Sequence, residues 1–547
     1  MRSGLSSGWF EALLQRVGAL PARRVTWALV LFFSVWVLLD VFVLKLTGGL
    51  AQSSFDAMVR ARVFVAVPDP RIVIIDIDEA ALARMGKEFG RWPWPRDTLA
   101  TVLAHIEGQQ PAAVVWDILF SDADRLSPGG DAAFNEAAQR SAHSHFSVVR
   151  LPPINDADSQ ITQTVLPGLW VPPAPLSPLA SAAKPATVAL IPPALPAVAS
   201  SRLGFNNGYV DADGVLRRYR YFEPLADGSV IQSLPMSVLN AIDSRAYYAR
   251  LTGARGLNGL KDELIAWRRQ AGAYPHISFA DVFAQAEGGK PLAALPSFAG
   301  KVVIMGSTAP SLHDIHPTPL SSMQAGVDSL ATVLDNALNQ RQLRELPRGW
   351  QALLAIALCI GLALWVQFKS VASLAPALLA LPMALLGLSY LSLNTDWIFL
   401  DLHLSAALAL LFLAVLRSWN NLRRNHWCSL PLPSDQPLVL WPWERSEPWL
   451  EGELDRLIEA VERHAPTCRV VLCDAHVTWP STLRWPELAR FAAVVGPQSD
   501  LMAARDKLSP DLLRLAQRQV EPVLLGVNPS RSEVARGAFA AWAAFQN

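Results

Sequence analysis

Four apolar stretches constrain this chain more than any other feature. Trp27–Lys45 lies near the start, while Trp350–Phe368, Val371–Leu393 and Trp397–Trp419 follow one another closely. A bilayer core needs about 20 mostly apolar residues per helix, and each stretch approaches or meets that length. The pattern predicts an N-terminal tail (1–26), one membrane helix (27–49), a large domain (50–347), three more helices (348–420) and a second domain (421–547). Lys and Arg concentrate on the cytoplasmic side of membrane helices. Arg2, Arg16, Arg23 and Arg24 precede or open the first stretch, and Arg417, Arg423 and Arg424 end or follow the last. Lys369 lies between the second and third, whereas Asn394–Asp396 carries no positive residue. Both termini are therefore expected inside and residues 50–347 outside. The first stretch reads as an uncleaved anchor, being long and lacking a clean small-residue cleavage site.

Composition narrows the classes. Hydrophobic residues are 51% and charged residues 17%, more apolar than a soluble domain. The 47 Lys and Arg balance the 47 Asp and Glu, so bulk charge gives no reason to expect a nucleic-acid partner. Of the four cysteines, Cys359 falls in a membrane helix and Cys428, Cys468 and Cys473 fall on the inner side. The outer domain is thus expected to rest on its core rather than on disulfides. The cysteine spacing is not a zinc pattern, and neither metal nor cofactor is expected.

In the outer domain, the apolar, β-branched run from Ile72 to Glu79 predicts a strand buried on both faces. Glu79 to Gly86 reads as a helix. The segment from Arg91 to Asp97 carries prolines at 93 and 95, which favour an extended turn. Asp97 or Thr98 is placed to cap the next helix, to about Glu107. Residues 112–120 read as a second buried strand, which makes a parallel βαβ unit. Asp213-Gly214 is a strong hairpin signal between runs 209–210 and 215–222. Residues 151–201 are proline-rich, with similar phrases from Val171 and Ile191, and read as a surface insertion of extended backbone.

These pieces carry a resemblance. The strand end Asp76-Ile-Asp78-Glu79, the segment Trp92-Pro-Trp94-Pro-Arg96, and Asp117 with Phe120 are similar to the type-2 CHASE domain, an extracytoplasmic sensory domain of bacterial receptors. Later pieces follow in order: Gly204 to Asn206, Asp213-Gly214 with Arg217, Gly306 with Thr308, Asp314, Thr318-Pro319 and Gly326-Val327. The resemblance covers roughly residues 50–420, and three membrane helices after the domain fit the family's layout. It implies an α/β sensory fold and homodimers. Leu330 departs from it, standing where a polar residue is expected.

Ligands of open α/β sheets bind at the carboxyl ends of strands. Asp76 and Asp78, two apart, share a face. With Trp92, Trp94, Arg96 and Asp117 they form a candidate ligand site, or a weak cation site if Asp122, Asp124 or Asp131 reach it. The alternative, preferred here, is an internal charge network in which Arg96 pairs with one carboxylate and the tryptophans are core anchors. Asp40, a charge within the first stretch, reads equally as functional or as an interfacial residue.

Residues 427–547 lack the Gly-rich kinase loop, the His-Arg-Asp loop, the phosphate-cradling loop and the Gly-Gly-Asp-Glu-Phe motif. Strand-like runs at 438–441, 469–474, 492–496 and 522–526 alternate with helical segments at 452–464, 485–491, 508–519 and 532–545. That alternation predicts a small α/β domain with a parallel sheet. Asp474 and His476 are its candidate site residues, too few for an active site. Its seven tryptophans favour protein contact. The function expected is a membrane sensor of a small molecule or envelope partner, acting through a non-catalytic inner domain on a cytoplasmic protein. A structural envelope scaffold is the alternative, and an enzyme with an unrecognised inner site the third.

Overall fold

The computed structural model describes residues 16–541 except 125–126, 173–185, 256–261, 269, 271, 342, 369–370, 396–397, 429–434, 445–450, 473–490, 514–517, 520, 531–532, 535 and 539. The chain forms two units: Gly48–Leu346 with Leu388–Asp401, and Met1–Thr47 with Pro347–Gly387 and Leu402–Asn547.

The first unit is built on a seven-stranded sheet. Its strands are β1 (Ile72–Asp76), β2 (Ala113–Trp116), β3 (Ser144–Arg150), β4 (Leu190–Ile191), β5 (Arg202–Phe205), β6 (His276–Ser278) and β7 (Val302–Gly306). The order is β6-β1-β7-β2-β3-β5, every neighbouring pair parallel, with β4 antiparallel against the end of β3. The expected βαβ unit is therefore interrupted: β7 lies between β1 and β2, with Val302 opposite both Ile72 and Ala113. Its five residues are all buried, so the centre of the sheet, covered on both faces, suits it. Side chains alternate between two cores. Val73, Ile75, Val114, Trp116 and Met305 enter one; Ile72, Ile74, Ala113, Val115 and Ile304 enter the other.

The turn at Arg91 is extended, with a cis Trp92–Pro93 bond. Helix α1 (Glu79–Phe89) precedes it and α2 (Arg96–Glu107) follows. The cap of α2 differs from the expectation. The helix starts at Arg96 after Pro95, and Thr98 Oγ1 donates back to the Pro95 carbonyl at 2.8 Å. A Pro just before the first turn already fixes the chain's entry. Asp213-Gly214 does make a tight turn, with Gly214 at φ 81°, but the flanks form no ladder with each other. Arg218–Tyr219 pairs instead with Glu263–Leu264, and Phe222–Pro224 with Val230–Gln232. The turn is held by Arg217, which is 2% exposed and donates to Asp56, Asp211 and Asp213 at 2.7–3.0 Å. The described ends of the proline-rich segment are not free extended arms. Trp170–Val171 pairs with Val230–Ile231, and Leu190–Ile191 with β3. Helix α3 (Gly326–Leu338) packs on β1 and β7.

In the second unit, three helical segments are long and apolar enough to cross a membrane: Ala22–Leu44, Arg348–Gln367 and His403–Trp427. The remaining stretch forms a short turn, Val371–Leu374, then a 17-residue helix, Ala377–Leu393. At 1.5 Å per residue that helix is about 25 Å long, short of the ~30 Å hydrocarbon core. The last helix begins at His403; Ile398–Phe399, which belongs to the first unit, is a strand beside Arg344–Glu345. Asp40 is buried and accepts from the Leu46 N–H at 2.7 Å and from the Thr47 hydroxyl. It fastens the turn that ends the first helix, which accounts for a charge at that position.

Helix α4 (His403–Trp427) continues into the C-terminal domain. That domain has β8 (Pro437–Glu444), α5 (Glu451–His464), β9 (Arg469–Leu472), β10 (Phe491–Pro497), α6 (Gln498–Leu513), β11 (Arg518–Gln519) and β12 (Val523–Val527). The sheet is not parallel, contrary to expectation. Its order is β9-β10-β8, with β12 and the short β11 both paired to the other edge of β8, and every pairing is antiparallel. β8 and β9 run the same way with β10 inserted between them; β10 and β12 do likewise around β8. Two βαβ units thus interleave, a split βαβ arrangement. Interleaved and side-by-side units share one strand–helix alternation, so local pattern does not separate them. Phe491 opens β10 rather than ending a helix, and Arg518–Gln519 is a strand where a helix to 519 is expected. Trp441, Trp443, Leu457, Ile458, Val461, Val494 and Leu508 form the core, joined by Trp427 from α4.

Candidate functional site

The carboxyl ends of the central parallel strands open into a cavity of about 590 Å³. Ile77 follows β1, Ser307 follows β7, Asp117 follows β2, and Asn206 follows β5; Ser147 to Val149 come from β3. Parallel strands end at one edge, where their successor residues leave the ladder and their side chains converge. The Trp92–Arg96 turn, Leu312 to His316 and the start of α3 complete the wall.

Asp117 anchors the polar side. Its Oδ1 accepts from Asn206 Nδ2 at 2.7 Å, and Asn206 Oδ1 accepts from the Tyr219 hydroxyl at 3.1 Å. Burial and the nearby Asp314 carboxylate raise the Asp117 pKa to about 7, against the opposing pull of Asn206 and His316. His316 Nε2 lies 3.4 Å from Asp314 Oδ1, and that bond raises the histidine's pKa. Asp314 also lies against the N-terminus of α3: its backbone oxygen accepts from Gly326 N at 2.9 Å. A Cβ on Gly326 would lie 2.2 Å from the Asp314 carboxylate, so only glycine permits that approach.

The opposite wall is aromatic. Trp92 and Trp94 meet edge to face at 5.0 Å, and Trp94 packs on Phe279 at 5.2 Å. Arg96 pairs with Asp131, donates to the Asp122 carbonyl, and lies 5.6 Å from the Phe120 ring. Leu99, Leu119, Leu216 and Leu330 add apolar surface. Leu330 is the residue at which the chain departs from the expected polar side chain.

Of the six residues singled out from sequence, Trp92, Trp94, Arg96 and Asp117 line one cavity. Asp76 and Asp78 do not. Asp76 accepts from Thr308 N at 2.8 Å and from Thr308 Oγ1 at 2.6 Å, and lies 3.0 Å from His276 Nδ1. The second ring nitrogen of His276 lies 3.1 Å from Asp328. Burial alone would lower the His276 pKa, but the two carboxylates raise it to about 9, so this is a charged structural bridge. Asp78 caps α1, accepting from Ala81 N at 2.6 Å. Its position past the end of β1 removes the shared strand face. Thr318 accepts from Ser321 N at 3.2 Å and donates to Gln324 at 2.7 Å, and the Pro319 carbonyl accepts from Arg60 at 2.9 Å. Gly306 brings β7 against α3, where a Cβ would meet Val327 at 2.6 Å. Tyr219 and His316 escape a sequence reading; Asn206, directly after a strand and among the pieces of the resemblance, is given no place in the site by that reading. Asp474 and His476 lie outside the described residues. Among the described residues no group of three or more His, Cys, Asp or Glu is placed to hold a metal ion.

An α/β domain in a chain that also has apolar helices is the class these features define. The CHASE2 domain family matches residues 28–365, and the chain belongs to that family. No curated protein and no solved structure matches it.

Proposed function

We propose that the protein is a multi-pass sensor of the bacterial inner membrane, with residues 50–347 outside, both termini inside, and a non-catalytic inner domain that binds a cytoplasmic protein. The observation that carries this reading is the cavity at the carboxyl edge of the CHASE2-domain sheet. Ligand sites of open parallel sheets occupy this position.

The link from helix to inner domain supports a relay. Arg423 is 2% exposed and pairs with Glu462, Arg424 meets Asp455 at 2.8 Å, and Asn420 donates to Asp455 at 3.3 Å. Asp455 and Glu462 are seven apart, on one face of α5, so α4 and α5 are joined over two turns. The orientation has support within the second unit. The Val17 carbonyl accepts from Trp419 Nε1 at 3.2 Å, and the Val371–Leu374 turn packs on α5. Val17 and the Val371–Leu374 turn thus lie by the end of α4 that enters the inner domain, which supports an inner placement of both termini. The short Ala377–Leu393 helix then serves as the fourth crossing, because an even number returns the chain to the starting side.

Two measurements test the proposal. In intact spheroplasts, an impermeant maleimide is expected to label Leu292→Cys and to spare Met502→Cys; the reverse pattern rejects the topology. Full-length protein purified in mild detergent from its native membrane is expected to carry a stoichiometric partner cross-linked to the inner domain. Turnover of a nucleotide by the purified protein would instead make the inner domain an enzyme.

A further inference from the structure

The charges around the cavity do not cancel. Its wall holds three carboxylates, Asp117, Asp122 and Asp314, against Arg96 and His316. Arg96 is already engaged by Asp131 and by the Asp122 carbonyl. His316 faces Asp314. The positive end of α3 is taken by Asp314 as well, since a helix N-terminus attracts the nearest anion and the carboxylate sits where a Gly326 Cβ would stand. The start of α2 is closed off too: a Cβ on Gly130 would lie 3.0 Å from Arg96 N and 3.3 Å from Asp97 N. The Asp122 carboxylate accepts from the Ser121 hydroxyl, and the Asp117 carboxylate has no ion-pair partner at hydrogen-bond distance among the described residues, His316 acting on it only from farther off. Among the described residues the hydrogen bond to its carboxylate comes from the neutral Asn206 amide.

An anionic ligand would meet a wall whose cationic groups are all spent. A neutral ligand would leave Asp117 facing Asp314 without compensation. A ligand ammonium supplies both the missing charge and the missing donors. Beside Asp117 the wall offers the rings of Trp92, Trp94, Phe120 and Tyr219, with Leu99, Leu119 and Leu330. Aromatic faces attract cations, and apolar side chains cover a hydrocarbon body. About 590 Å³ is room for a small organic molecule.

We propose that this cavity recognises small organic cations: amines that place their ammonium against Asp117 and lay an apolar body along the Trp92–Trp94–Phe120 wall. The proposal rests on the sensor reading and names the ligand class of that same site. Binding is coupled to protons, because the ammonium and a proton compete for Asp117. Asp122, Asp314, His316, Arg96, Asn206 and Tyr219 are the charged and polar groups around that competition.

The test uses three probes of one shape on full-length protein in detergent: 2-phenylethylamine, 2-phenylethanol and 3-phenylpropionate. Their common body holds the apolar contact constant, and titration into detergent alone subtracts partition into the micelle. At pH 8 calorimetry is expected to show saturable binding of the amine alone, weakening about tenfold by pH 6 as Asp117 takes up its proton. Asp117→Asn is expected to weaken the amine at least tenfold, while Leu292→Ala, an exposed position not in the cavity wall, leaves it unchanged. Binding enthalpies in buffers of different ionisation heat give the proton released at pH 6.5, a readout that a misfolded variant does not imitate. Equal or tighter binding of the alcohol or the acid overturns the cation assignment and leaves the cavity as a sensor site. Amine binding unchanged in Asp117→Asn does the same. Failure of all three probes to bind overturns the assignment and the ligand-sensing reading together.

Discussion

Replacing Asp117 with asparagine is expected to stabilise the protein, and the gain is expected to depend on pH. The folded pKa of Asp117 stands at about 7, against 3.8 for the free side chain. A carboxyl whose pKa is raised by folding stays neutral in the fold while the unfolded chain loses its proton. Its contribution is therefore intact below pH 3.8 and lost as pH rises through 7. A shift of about three units corresponds to about 4 kcal/mol as an upper bound. Asp117 is partly accessible through the cavity and coupled to Asp314, so screening reduces the gain to about 1–3 kcal/mol. Asparagine keeps the acceptor that Asn206 Nδ2 reaches at 2.7 Å, so the change removes charge and little else. Hydrogen exchange of the β2 amides, in full-length wild-type and variant protein, reads local opening directly. Protection is expected to rise by roughly one to two decades at pH 8, and to be nearly equal in the two proteins at pH 4.5. Equal protection at pH 8, or a gain of the same size at both pH values, would refute the reasoning.

Arg217→Met leaves three carboxylates without their shared cation, and removing one partner of a buried ion pair costs about 3–5 kcal/mol; loss of protease resistance in the outer unit is the readout, and lysine, lacking the fork, is not expected to restore it. His276 carries the raised pKa of a charged bridge, so its stabilisation is complete below about pH 6.5 and fades as pH rises through about 9. His276→Gln is expected to flatten that alkaline decline in a melting series. Buried His145 has the opposite sign: burial, with help from Arg202 and His143, lowers its pKa to about 3. Melting temperatures are therefore expected to fall from pH 6.5 downward, less steeply in His145→Gln. Gly326→Ala is expected to cost more than about 1 kcal/mol, from its 2.2 Å approach to Asp314, whereas Gly214→Asn at φ 81° is expected to cost less.

What was legible in the sequence was local. The β-branched runs around Ile74 and Val114 announce buried strands, and the Asp213-Gly214 turn forms because two residues set its backbone. The Trp92–Arg96 turn and Asp117 reach one cavity because each lies at the end of a readable element. Strand order was not legible: β7 enters between β1 and β2 from roughly two hundred residues away. The inner sheet was misread because a 3.6-residue period alternating with an apolar run does not say which strand lies between which. Asp76 and Asp78 looked like a pair from spacing alone, yet one serves a histidine bridge and the other a helix cap. His316 and Tyr219 join the site only through tertiary packing, so no local pattern marks them.

The passage from α4 into the inner domain has a mechanical consequence. The helix is continuous for 25 residues, its end is bolted to α5 by Arg423 and Arg424, and Trp427 is seated in the domain's core. There is no swivel at this joint. The inner domain's facing is thus an angular phase set by the helix, about 100° per residue. A one-residue insertion near Arg417 would point its surface in another direction while leaving every contact within it intact, as turning a shaft turns the key at its tip.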